Sequence, residues 1–284
     1  MGPLTQYGQP AGQPPAVIAY AHRGFRGVVP ENTLRAFEAG FDAGAEWIEL
    51  DVAASSDGEL VVIHDDSLLR TTDAKARFPG RSPWTVYDFS LAELRSLDAG
   101  SWYGEKDPFG QVAAGRVGKA ELESFRGLRI PTLREALELV KARGKKVDVE
   151  IKDATSHPCD AWIVERTTGL IGELGLEGSV LLSSFNHDYL RRAKKAAPAI
   201  PFGALVERKP EALVPLLKEL GAVAYNPGIL GLDEATVREA REAGFDVYVW
   251  TVNEEADMRR LISWGVTGLF TDFPDRLLGL LSGK

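Results

Sequence analysis

From residue 17 onward, short runs of β-branched and aromatic residues alternate with amphipathic stretches of helical period. This alternation builds repeated β-α units around a parallel sheet. Eight strands are predicted, over residues 17–22, 47–52, 146–151, 180–184, 201–206, 222–226, 246–251 and 268–271. Eight units suggest closure, so the expected fold is α/β, a TIM-type (β/α)8 barrel. Helix signals support it: Asn32 before Thr33 to Ala43, Thr132 before Leu133 to Arg143, and Asp233 before Glu234 to Ala243, each followed by a glycine (Gly44, Gly144, Gly244). The stretch from Asp65 to Lys145 is far longer than one loop and helix require. Its part at about 66–130 reads as a small insertion between the second and third barrel strands, lying over the barrel mouth. Just ahead of it, Ser55-Ser56-Asp57-Gly58 predicts a turn that folds Leu60 to His64 back on the second strand as a hairpin.

Within the strands, parity decides where chemistry can sit. In Trp47-Ile48-Glu49-Leu50-Asp51-Val52 the aliphatic residues share one face and Glu49 with Asp51 the other; Asp148, Glu150 and Lys152 alternate likewise with Val147, Val149 and Ile151. In a closed barrel the aliphatic face packs on the helices. The charged face therefore points inward, and its last members reach the C-terminal rim, where barrel enzymes carry their sites.

Composition narrows the setting. The 284 residues fit one barrel domain, read here as 16–284, and no apolar run approaches the roughly 18 residues that span a bilayer. Residues 1–15 are rich in Gly, Pro and Gln without the marks of a secretion signal, and read as a flexible tail. A cytoplasmic location is the expectation. Cys159 is the single cysteine, which excludes an internal disulfide and a multi-thiolate metal site. A net charge of -8 argues against nucleic acid or anionic lipid as a partner. No feature of the pattern fixes an oligomeric state.

Glu49, Asp51 and Glu150 converge from two strand ends that become neighbours on closure. Such like charges repel unless a cation joins them, and an all-oxygen set selects one hard divalent ion, Mg2+ or Ca2+. The competing reading is a salt-bridged polar layer, with Arg23 and Lys152 as partners. His22 and His64 each close a strand at the same rim, and two imidazoles there can serve as acid and base together. Arg23 offers a fork for two phosphate oxygens and Lys152 a point charge beside Glu150. Gly24 and Gly27 let the backbone pass close to a ligand.

These residues resemble a known family, the glycerophosphodiester phosphodiesterases. The resemblance runs through Ala21-His22-Arg23-Gly24, Pro30-Glu31-Asn32-Thr33, Glu49-Leu50-Asp51-Val52, Val62-Ile63-His64-Asp65, Leu69-Arg70-Thr71-Thr72, Ile130-Pro131-Thr132-Leu133, Glu150-Ile151-Lys152, Ser184-Phe185, Trp250-Thr251-Val252-Asn253 and Thr271-Asp272. It implies a barrel with an inserted segment, Glu49, Asp51 and Glu150 as metal ligands, His22 and His64 as acid and base, and Arg23 and Lys152 as phosphate contacts. Trp250 would line the pocket for the glycerol or alcohol moiety with Phe185 nearby; both could instead be plain filling.

The reaction expected is hydrolysis of a small-molecule glycerophosphodiester to sn-glycerol 3-phosphate and an alcohol. The glycerol 2-hydroxyl gives its proton to one histidine and attacks phosphorus while the other histidine protonates the leaving alcohol; water then opens the cyclic phosphate, with direct attack by water as the other route. The sequence reading makes His64 the first base and His22 the acid. A lysophospholipase D or sphingomyelinase D type diesterase is the alternative. A Schiff-base aldolase using Lys152 is disfavoured, because carboxylates raise the pKa such a lysine needs lowered; a non-catalytic barrel would show gaps in the constellation. His187 reads as a helix-start residue, His157 as a loop residue, and Trp84 and Trp102 as anchors of the insertion. Asp65 could orient a rim group, but as the strand neighbour of His64 it is expected to face away from it.

Overall fold

The computed structural model describes residues 17–283, so the tail expected at 1–15 lies outside the described residues. In chain order the elements begin with β1 (Ile18–Ala21), α1 (Leu34–Asp42), β2 (Trp47–Ala54) and β3 (Leu60–Val62). Residues 66–130 then carry α2 (Ala74–Arg77), α3 (Leu91–Arg95), α4 (Trp102–Lys106) and α5 (Lys119–Phe125), with a 3-10 turn at Val86–Asp88. Regular alternation resumes with α6 (Leu133–Arg143), β4 (Lys146–Ile151), α7 (Ile163–Leu174), β5 (Val180–Ser184), α8 (His187–Ala196) and β6 (Phe202–Val206). It ends with α9 (Leu213–Leu220), β7 (Ala224–Pro227), α10 (Glu234–Glu242), β8 (Asp246–Val249), α11 (Glu255–Ser263), β9 (Gly268–Thr271) and α12 (Pro274–Leu281).

Eight of these strands close a parallel barrel in the order β1-β9-β8-β7-β6-β5-β4-β2, and β2 returns to β1. The remaining strand, β3, pairs antiparallel with β2. The aliphatic faces, Ile48, Leu50 and Val52 among them, join the helices in one continuous core. The opposite faces fill the barrel: Tyr20, Trp47, Leu181, Ala224, Tyr248 and Phe270 form a separate apolar cluster. Tyr20 is its centre, stacked on Phe270 at 4.4 Å and tilted against Trp47 and Tyr248 at 5.3 and 5.2 Å. This aromatic floor fills the barrel below the charged layer.

Register then aligns the acids. β2 and β4 pair Glu49 with Asp148 and Asp51 with Glu150, so the two strands deliver carboxylates side by side. The β2–β3 hairpin turns at Ser55 to Gly58, where Gly58 adopts φ 91 and its amide donates to the Ser55 carbonyl.

Differences from the sequence reading cluster at element ends. β1 stops at Ala21, β3 at Val62 and β8 at Val249, so His22, His64 and Trp250 lie just past their strands, free of the strict alternation. The cap of α1 is Thr33, whose hydroxyl accepts from the Ala36 amide, and not Asn32. Asn32 takes a left-handed conformation, φ 55, and turns its amide onto Asp51. The buried carboxylate is a better partner than the helix end, which Thr33 already satisfies.

The insertion is clamped to the β1–α1 loop by a cluster of Val29, Ala36, Trp102, Tyr103, Val117 and Phe125, with the Tyr103 hydroxyl donating to the Gly27 carbonyl. Trp84 packs on the main core and donates to the Phe78 carbonyl. Gly24 holds φ +82, and a Cβ there would lie 2.5 Å from the Ala36 carbonyl carbon. Gly24→Ala is therefore expected to cost roughly 2 kcal/mol or more and to lower the thermal midpoint by about 5 °C, as read by circular dichroism.

Candidate active site

The ends of β1 and β9 fix the first histidine. His22 Nδ1 lies 2.7 Å from Asp272 Oδ1, and the Asp272 carboxylate also accepts from Asn253 Nδ2 at 2.7 Å and Arg26 Nη1 at 3.3 Å. A carboxylate at Nδ1 makes that nitrogen the proton carrier of the neutral ring and leaves Nε2 with its lone pair. Burial lowers the His22 pKa to about 4, with Arg23 pushing the same way against the Asp272 carboxylate. The resting ring is thus a proton acceptor at neutral pH. His64 is built alike from another part of the chain: its Nδ1 lies 2.5 Å from Asp65 Oδ1. The expectation that Asp65 would face away fails because β3 ends two residues before His64, so alternation no longer separates neighbours.

Glu49, Asp51 and Glu150 each bring an oxygen within 4.8 Å of the others, all deep in the rim. Burial first, then the charges of Asp51 and Glu150, raise the Glu49 pKa well above the usual carboxylate range. Glu150 is raised too, by burial ahead of Asp51, with Lys152 opposing. For Asp51, burial pushes upward but His64, Arg23 and Lys152 outweigh it and hold the carboxyl well below its normal value. Asn32 Nδ2 donates to Asp51 Oδ2 at 2.8 Å, while Asp51 Oδ1 is buried without a hydrogen-bond donor among the described residues. An orphaned carboxylate oxygen beside two acids that repel it suits a hard divalent cation, and the all-oxygen set suits Mg2+ or Ca2+. One layer below, Asp148 accepts from the Ser183 hydroxyl at 2.6 Å, and burial pushes its pKa up to about 8.

The expected phosphate contacts divide. Arg23 lines the cleft, with Nη1 donating to Glu31 at 2.8 Å and Nε 3.4 Å from Asp51. Lys152 is drawn behind it, its ammonium donating to Glu150 Oε1 at 2.7 Å and lying 3.6 Å from Asp51. Burial opposes its charge, but Asp51 and Glu150 prevail and raise its pKa to about 12. A lysine so held is no amine nucleophile, which removes the aldolase reading.

His22, Arg23, Glu49, His64 and Glu150 share the wall of one open cleft of about 160 Å³ with Phe185, Leu205 and Trp250. Phe185 and Trp250 meet edge to face at 5.4 Å, and the Trp250 indole N–H donates to the Asn226 carbonyl. His187 is the first residue of α8, as read from sequence, and its ring is hydrogen-bonded to the Leu205 carbonyl of β6, while His157 stacks on Tyr87 at 3.8 Å.

Residues 22–276 match the model of the glycerophosphoryl diester phosphodiesterase family. The chain belongs to this family. Two relatives within it are named glycerophosphodiester phosphodiesterase: one from Caldanaerobacter subterraneus subsp. tengcongensis, 36% identical over 93% of this chain and 97% of its own. The other, from Bacillus subtilis, is 35% identical over 92% of this chain and 85% of its own. Among solved structures, an Oleispira antarctica phosphodiesterase in complex with the product sn-glycerol-3-phosphate superposes with a TM-score of 0.77. It is 30% identical and covers 93% of this chain and 96% of its own. The family barrel is thus the fold observed, with the rim constellation at its C-terminal mouth.

Three charged residues at this site, Asp272, Glu31 and Arg26, had no role in the sequence reading, and Asp65 only that of orienting a rim group. Asp272 and Asp65 back the histidines; Glu31 and Arg26 connect them, Glu31 accepting from Arg23, Arg26 and Arg70. All but Arg26 sit in the stretches that carry the family resemblance. Their partners, however, lie up to 250 positions away, beyond any periodicity signal.

Proposed function

We propose that the chain hydrolyses glycerophosphodiesters to sn-glycerol 3-phosphate and an alcohol, using one divalent cation held by Glu49, Asp51 and Glu150. The observation that carries this reading is the meeting of two carboxylate-backed imidazoles and a buried three-acid cluster on one cleft wall. A bound cation supplies Lewis-acid charge for the phosphoryl oxygens, which the acidic surroundings otherwise lack. Arg23 adds its planar fork at the wall, and Lys152 reaches the phosphate by turning its flexible stem away from Glu150.

His22 takes the proton of the glycerol 2-hydroxyl as that oxygen attacks phosphorus, because burial keeps its ring neutral. His64, held by the Asp65 carboxylate, gives a proton to the departing alkoxide. This order reverses the one expected from sequence. Water then opens the cyclic phosphate, with His64 accepting its proton and His22 returning one to the 2-oxygen. The Phe185–Trp250 pair offers an apolar wall for the carbon skeleton. The site's solvent is the cytoplasm in this reading, and among the described residues no helix is long and apolar enough to cross a membrane.

Purified protein is expected to release glycerol 3-phosphate from glycerophosphocholine, to stop in EDTA and to resume with Mg2+ or Ca2+, as followed by coupled dehydrogenase absorbance. The analogue lacking the 2-hydroxyl, 3-hydroxypropyl phosphocholine, is expected to resist cleavage. Its turnover at the parent rate would exclude the cyclic route, and preferential cleavage of lysophosphatidylcholine would move the chain to the lysophospholipase D reading.

A further inference from the structure

The two histidines are tied together by a continuous line of charge. From His22 it runs to Asp272, to Arg26 (Nη1 to Asp272 at 3.3 Å), and to Glu31 (Arg26 Nε to Oε2 at 2.8 Å). From Glu31 it continues to Arg70, whose Nη1 and Nη2 donate to both Glu31 oxygens at 2.8 and 2.7 Å. Arg70 Nε and Nη2 donate also to Asp65, at 2.5 and 3.0 Å, and Asp65 holds His64. Neither Glu31 nor Arg70 lines the cleft. The Glu31 side chain is 2% exposed. Its carboxylate is surrounded by three guanidinium groups, those of Arg23, Arg26 and Arg70.

Two of the segments so joined leave paired strands, β1 and β9, but the inserted segment shares no strand pairing with either. Glu31 and Arg26 belong to the β1–α1 loop, Asp272 follows β9, and Arg70 comes from the insertion, where Lys106 donates to its carbonyl at 2.7 Å. A guanidinium in this position does what no other side chain can, since its planar fork serves two carboxylates at once in fixed directions. Asp65 is otherwise a partly exposed rim residue, its side chain 26% exposed, on a segment past the end of β3.

We propose that Arg70 and Glu31 are positioning residues, which set the two histidines relative to each other and make the inserted segment a working part of the site. The inference rests on the diesterase reading for its kinetic arm and on geometry alone for its spectroscopic arm. Misplacing a reacting group by about 1 Å costs on the order of 10²-fold in rate. Arg70→Ala is accordingly expected to lower kcat on glycerophosphocholine by about 10²-fold, with KM within roughly threefold because no substrate contact is lost. Arg70→Lys, which keeps the charge on Glu31 but cannot fork, is expected to lose on the order of tenfold. Methylguanidinium added to Arg70→Ala should restore at least about fivefold and leave the parent protein unchanged.

The spectroscopic arm records the imidazole Nδ1–H proton of His64 in histidine-labelled protein, assigned by its disappearance in His64→Ala. In Arg70→Lys and Arg70→Ala this signal should shift or broaden while that of His22 persists. A kcat within twofold of the parent for Arg70→Ala, or a loss that methylguanidinium does not reverse and that leaves the His64 signal in place, would overturn the proposal. Should the parent protein cleave no diester, the function proposed above falls and the His64 signal alone decides this one: unchanged in both variants, it sinks the positioning role.

Discussion

His22→Ala is expected to lower kcat on glycerophosphocholine by about 10³-fold or more, and the loss should persist when the leaving alcohol is made acidic. General acid and base groups each contribute on the order of 10² to 10⁴. The two histidines differ in what an acidic leaving group can replace. With a 4-nitrophenyl diester of glycerol phosphate the departing oxygen needs no proton, so the acid becomes dispensable, whereas the attacking hydroxyl still has to lose its own. His64→Ala should therefore be crippled on the choline ester and recover much of its activity on the nitrophenyl ester; His22→Ala should be crippled on both. The physical ground is the difference in environment. His22 is buried, its pKa drawn down to about 4, while the His64 side chain is 31% exposed and rests on a carboxylate that Arg70 also holds. A cation in the acid cluster pushes His22 further the same way, since its Nε2 lies 4.0 Å from Glu49. Recovery in His22→Ala instead of His64→Ala would restore the order expected from sequence, with His64 as the first base.

What could be read before the structure follows from the range of each physical signal. Alternation in β2 and β4 placed Glu49, Asp51 and Glu150 on the inner face, because period-two patterning is local and barrel closure makes those strands neighbours. The strand count gave the barrel for the same reason. Asn32 and Asp65 were misread where a local rule met a stronger tertiary partner. Asn32 carries the composition of a helix cap, yet the buried Asp51 carboxylate claims its amide. Asp65 was judged by strand alternation on a stretch that is no longer strand. Asp272, Glu31 and Arg70 are short-range featureless: an acid before a proline helix start, an acid in a turn, and a base in a long connection. Only the closed barrel and the clamped insertion bring them together, so their role is a property of the assembled rim.

The acid cluster gives the second large effect, and Glu49→Gln isolates it. In the metal-free protein Glu49 carries a raised pKa, so its carboxyl retains a proton well above the usual range, and a neutral glutamine resembles that state in shape and charge. The hydrogen bond Glu49 accepts from the Arg23 amide, at 2.8 Å, is available to the glutamine oxygen as well. Metal-free Glu49→Gln is therefore expected to melt at or above the parent temperature. The sign with pH follows from proton counting. A folded-state pKa above the unfolded value means the native state binds more protons, so the Glu49 contribution is complete below about pH 4.3 and is lost as pH rises toward the shifted pKa. The variant should thus gain on the metal-free parent as pH increases. A divalent cation reverses the comparison, because it favours the ionised carboxylate. At a hundredfold excess over its dissociation constant it should add roughly 2.7 kcal/mol to the parent, a rise of about 5 °C or more. That rise should be larger at high pH, where no proton is displaced, and nearly absent in Glu49→Gln, whose kcat should fall by on the order of 10²-fold or more. Equal metal-induced shifts in parent and variant would place the cation elsewhere and return the three acids to a salt-bridged layer closed by Arg23 and Lys152.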